Sequence, residues 1–105
     1  LGGQPDQRQR NAEFAAEGGL NKQALWEKLS ATTREAAHVI AQATEFELLR
    51  VRSVQGFQLS GVGIVIHVVE HYSYHTGQIA FWTKELKNKD LGFYAGLDLN
   101  AKNDA

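Results

Sequence analysis

The stretch from Val62 to Leu86 sets the tightest limit on what this chain can fold into. Read at helical period, Val62, Ile66, Val69, Ser73, Thr76, Ala80, Thr83 and Lys87 fall on one strip. Ile64, Val65, Val68, Tyr72, Ile79, Trp82 and Leu86 widen that strip round most of the helix. A helix apolar on most sides must be buried on most sides. Ser60 stands where an N-cap belongs, and Lys84 and Lys87 suit the negative end of the dipole, so the helix is expected over 60–87. Its β-branched run, Val62 to Val69, has modest helix propensity, so packing must hold it.

A second long helix is expected over 21–43. Asn21 is a suitable N-cap, and Leu20 and Leu25 are placed for a hydrophobic staple. Its seam runs Leu25, Leu29, Thr32, Ala36, Val39, Ala43, in steps of four and three. Thr32 is the polar exception; its hydroxyl is expected to bond a carbonyl one turn back. Between the helices, residues 45–59 alternate apolar and polar from Leu49 onward, with Gly56 in the middle. That pattern predicts an extended connection or hairpin lying against the helices. Residues 1–19 read as a loosely ordered arm with a helical turn near Asn11 to Ala16 and a break at Gly18-Gly19. Residues 88–105 are glycine-punctuated but carry Leu91, Phe93, Tyr94, Leu97 and Leu99, so they are expected to dock in a groove before fraying from Asn100.

With 105 residues the chain is one domain at most. Two long helices, one of them apolar nearly all round, cannot bury each other's faces in a monomer. A second copy supplies two more. The expected fold class is therefore all-α: two long helices per chain joined by a short extended connection, completing a four-helix bundle as a C2 homodimer.

Several function classes drop out. Net charge is −1 with acids and bases mixed along the chain, so no basic face for nucleic acid is present. Without cysteine there is no disulfide, thiolate ligand or cysteine nucleophile. The N-terminal stretch has no signal-peptide pattern, and the run Val62 to Val69 is too short to span a membrane, so a cytoplasmic location is expected. Methionine is missing even at position 1, so the native start is expected to lie upstream.

The chemistry on offer is histidine. His67, His71 and His75 recur every four residues on the apolar helix, stacked about 6 Å apart in rise along one face. Two imidazoles at i and i+4 can point ring nitrogens at one transition metal. Spacing alone favours the other reading, a polar histidine stripe hydrogen-bonded within a helix interface. This is not the metalloprotease HExxH pattern: Glu70 precedes His71 and sits about 100° round the helix, a poor position for a base. Gln78 can support a ligand or bond across a helix interface. His38, on the other helix, reads as a boundary residue that a metal site could recruit. Tyr72, Tyr74 and Trp82 read as core and interface aromatics.

The segment His71, His75, Gly77, Gln78, Ile79 resembles the HxxxHxGQI signature of the DinB-like, YfiT-like superfamily. Thr83-Lys84-Glu85-Leu86, Asp90 to Tyr94 and Arg10 to Phe14 look like one bacterial subgroup, and the resemblance spans about residues 8 to 97. It implies a four-helix bundle binding a divalent metal, Zn or Ni, through three histidines, of which His71 and His75 match two. It also implies a hydrolase or a thiol transferase, acting on a small molecule that no motif here names. The resembling proteins carry their third histidine on an earlier helix, so this chain is expected to lack their N-terminal helices. A longer native chain, or a dimer bringing His71 and His75 from both copies, or His38 or His67, into one site, is then the expected source of a further ligand. The alternative expectation is a truncated, non-catalytic dimeric scaffold or binding module.

Overall fold

The structure is a computed structural model and describes residues 1–104. In chain order it has α1 (Arg10–Ala15), α2 (Lys22–Gln42), α3 (Glu45–Leu49), β1 (Arg52–Val54), β2 (Phe57–Leu59) and α4 (Gly61–Lys87). Two units divide the chain, Leu1–Ile66 and His67–Ala105, and their boundary falls inside the continuous helix α4.

In the first unit, α2 starts where Asn21 caps it. The Asn21 side-chain oxygen accepts from the Ala24 backbone N–H at 2.8 Å, a cap generally worth about 1 kcal/mol. The helix stops at Gln42 because the next two residues are extended and Thr44 opens a new helix. The Thr44 hydroxyl accepts from the Glu47 N–H at 3.3 Å, while the Glu47 carboxylate accepts from the Thr44 N–H at 2.9 Å. This reciprocal pair is a capping box, and it corrects the expected connection: residues 45–59 open with a helical turn and only then become extended. The local cap outweighed the alternation, which begins only at Leu49.

The rest of that connection is an antiparallel hairpin pairing Arg52 with Leu59, Ser53 with Gln58 and Val54 with Phe57. Its two-residue turn, Gln55-Gly56, has positive φ at both positions (51° and 87°), the combination that matches strand twist in tight hairpins. The Arg52 guanidinium donates to the Glu47 carbonyl at 3.0 Å and so ties the hairpin to α3.

The closest packing in this unit is at Gly61, the one fully buried position among the described residues. A Cβ there would overlap the carbonyl oxygen of Glu47 and stand 2.7 Å from Leu48 Cα. Glycine is what lets the start of α4 touch the α3 backbone. The Ser60 side chain caps that start, accepting from the Gly63 N–H at 3.1 Å.

The α2 seam is covered only in its second half, where Ala36, Val39 and Ala43 are half-buried and Gly2 lies against Val39. Toward the N-terminus, Leu25, Trp26 and Leu29 are exposed. The hydroxyl that bonds one turn back is that of Thr33, to the Leu29 carbonyl at 2.8 Å, rather than that of Thr32. α1 places the Arg10 guanidinium 4.6 Å from the Phe14 ring centroid.

In the second unit, α4 continues to Lys87 and ends at Asn88, whose φ of 48° is the left-handed cap geometry asparagine tolerates. The tail then runs through turns: Asp90 Oδ1 accepts from Gly92 N–H at 2.9 Å, and the carbonyls of Gly92 and Tyr94 accept from the N–H groups of Ala95 and Leu97. Lys84 Nζ lies 5.9 Å from the Phe93 ring centroid, while Tyr94, Leu97 and Leu99 face solvent.

Among the described residues no hydrophobic side chain is buried. The burial expected for α4 is therefore not met within one chain: Ile79, Phe81, Trp82 and Leu86 are each more than 60% exposed. No described helix is long and apolar enough to cross a membrane.

Candidate functional site

Helical spacing brings His71 and His75 together. Their Nε2 atoms lie 3.1 Å apart, and the rings meet edge-on with centroids 4.5 Å apart at 78°. His67 stands one turn back, its ring centroid 6.1 Å from that of His71. All three are exposed on the second unit's part of α4. His38 is exposed on α2, within the first unit. Glu70 is exposed as well.

The hydrogen bonds around His75 bear on which tautomer a neutral ring adopts. Gln78 Oε1 lies 2.8 Å from His75 Nδ1, and an amide oxygen only accepts, so with the amide in this orientation a neutral ring places its proton on Nδ1. In the neutral ring Nε2 is then a lone pair, aimed at His71. His71 must donate from its own Nε2–H to complete the 3.1 Å contact. The other end of the Gln78 amide donates to the Tyr74 hydroxyl at 3.2 Å. Tyr74 thus has a polar role that its assignment to an apolar interface missed. The signal was available, since Tyr74 and Gln78 are also spaced i, i+4.

The pair's geometry can be tested against a metal. Two imidazole nitrogens each about 2.0–2.1 Å from one zinc ion stand roughly 3.3–3.4 Å apart in a tetrahedral site, and roughly 2.9 Å apart at a right angle. The observed 3.1 Å falls between these values. The separation of the two nitrogens is therefore compatible either with sharing one proton or, once the ring nitrogens turn to converge, with sharing one cation. Imidazole nitrogens in their neutral form suit zinc and nickel. Among the described residues no group of three or more His, Cys, Asp or Glu side chains is gathered for a metal.

Open clefts lie elsewhere. One of about 500 Å³ at the C-terminal end of α4 is lined by Phe81, Lys84, Glu85, Asn88, Lys89 and Asp90. Another, of about 450 Å³ on the first turns of α2, is lined by Lys22, Leu25, Trp26 and Leu29. Neither includes a histidine.

Comparison with known proteins supplies the wider setting. The model of the DinB family matches residues 4–104, nearly the whole chain, and the chain belongs to that family. No curated protein and no solved structure gives a significant match.

Proposed function

We propose, from the premise of DinB-family membership, that this chain is a divalent-metal-binding protein whose cation is held by His71 and His75. The family is generally metal-associated. The observation that carries the reading for this chain is the 3.1 Å separation of the two Nε2 atoms. His75 already presents a lone pair; His71 needs only to move its proton to Nδ1 to present a second. A bound zinc or nickel ion would supply Lewis acidity, lowering the pKa of a coordinated water or thiol towards neutrality. The reaction class that follows is metal-dependent hydrolysis or thiol transfer on a small molecule. The protein's own part is to offer two nitrogens on a rigid helix face.

The working form in this proposal is a homodimer completing a four-helix bundle. Leu25, Trp26 and Leu29 on α2 and Ile79, Phe81, Trp82 and Leu86 on α4 are exposed in the single chain. Burying what is still exposed of these seven side chains contributes roughly 6–13 kcal/mol. Association costs about 4–15 kcal/mol, so covering both faces is of the size needed to offset it.

Elemental analysis of untagged protein purified without chelator, repeated on H71A and H75A, tests the metal reading. One metal per chain, or half a metal per chain for a site shared across the dimer axis, supports it if both variants lose the metal. Protein that stays metal-free in the presence of zinc and nickel overturns it and leaves the non-catalytic dimeric scaffold as the reading.

A further inference from the structure

The contacts of Gln78 point beyond the histidine pair. We infer that Gln78 and Tyr74 are positioning residues that preset the tautomer of His75, holding its proton on Nδ1 so that the Nε2 lone pair faces His71. The inference rests on the reading of His71 and His75 as the metal pair, but its first readout is taken without metal.

The argument runs outward from the ring. Which nitrogen of a neutral imidazole is protonated depends on the hydrogen bond made by the other. At His75 that choice falls to an amide oxygen 2.8 Å from Nδ1. A side-chain amide on an exposed helix can rotate, and turned over it would offer N–H to Nδ1 and force the proton to Nε2. In the observed orientation the Gln78 amide is bonded at both ends: Oε1 on His75 one turn back, and Nε2 on the Tyr74 hydroxyl at 3.2 Å. Tyr74 sits beside His75, with its ring edge-on to the imidazole at 5.3 Å between centroids. The phenol can accept or donate. Its part is therefore to keep the amide in place, while the direction of the amide decides the tautomer.

A plain surface role would be different. Pairs of this spacing on an exposed helix contribute only a few tenths of a kcal/mol to helix stability. Such a role would leave the imidazole tautomer untouched by substitution.

The experiment uses full-length, metal-free protein with ¹⁵N-labelled histidine, at a pH where imidazole is neutral. Nitrogen shifts report the protonated position at His75, and circular dichroism confirms helicity. The wild type is expected to show Nδ1–H at His75. Gln78→Leu should move the population to Nε2–H, and Gln78→Glu, which can only accept, should restore Nδ1–H. Tyr74→Phe should give a mixture. Zinc affinity should fall about 10–100-fold in Gln78→Leu, the usual effect of losing a partner behind a ligand, and less in Tyr74→Phe. Unchanged tautomers in Gln78→Leu, or a Gln78→Glu variant that behaves like Gln78→Leu, would overturn the inference. A wild type that binds no zinc defeats the metal reading, whereas the tautomer comparison decides the role of Gln78 in either case.

Discussion

Two glycines in the first turn of α4 should respond in opposite ways to alanine. At Gly61 a Cβ would run into the Glu47 carbonyl and approach Leu48 Cα to 2.7 Å. Both are backbone atoms, which cannot rotate aside. At Gly63 the same atom would meet only side chains or their Cβ, Ser60 Oγ at 3.4 Å and Leu59 Cδ2 at 3.6 Å, which is ordinary contact. Alanine improves helix propensity over glycine at either site by up to about 1 kcal/mol, less in a first turn. Forcing a methyl into a closed contact typically costs about 1–3 kcal/mol. The propensity gain is common to both variants, so their difference isolates the overlap. G61A should be less stable than G63A by about 2 kcal/mol, with G63A equal to or slightly above the wild type. For a domain of this size that is a gap of roughly 8–16 °C in Tm. The assay is urea and thermal unfolding followed by circular dichroism at one fixed protein concentration, because association shifts apparent stability. Equal stability of the two variants would refute the close approach of α4 to α3.

Two further outcomes follow from the capping box and from the exposed faces. Hydrogen bonds from the Thr44 backbone N–H and hydroxyl, with a smaller contribution from nearby Arg52, hold the Glu47 carboxyl below its ordinary value of 4.5. A carboxylate depressed in the folded state stabilises it above the unfolded pKa and loses that contribution as pH falls through the folded value. Wild type should therefore lose more stability than E47Q when urea midpoints are followed from about pH 6 to pH 3, and parallel curves would contradict the box. Sedimentation should show a dimer across micromolar concentrations, shifted toward monomer in W82D; a well-folded wild-type monomer would refute the covering of α2 and α4 by a second copy.

Much of the local structure was legible because its causes are local. The Asn21 cap and the spacing from Leu25 to Ala43 gave α2 to within a residue at each end, and Gly56 between alternating residues gave the hairpin. The turn α3 was missed although Thr44-x-x-Glu47 spells its capping box, because the alternation after Leu49 was extended backwards over it. At the site, the meeting of His71 and His75 follows from i, i+4 geometry alone. The part played by Tyr74 did not come through, since a tyrosine on an apolar helix offers a ring and a hydroxyl and the pattern registers only the ring. Burial was the least legible property. Hydropathy states that Ile79, Trp82 and Leu86 need cover, but it does not state which surface supplies it.

The central claim is that His71 and His75 share one cation through Nε2. Titrating ¹⁵N-histidine protein with paramagnetic Ni²⁺ addresses it atom by atom. The account predicts that the Nε2 signals of His71 and His75 broaden first and together at substoichiometric nickel, ahead of His67 and His38. Simultaneous broadening of all four histidines, or first broadening at His38 or His67, would contradict it.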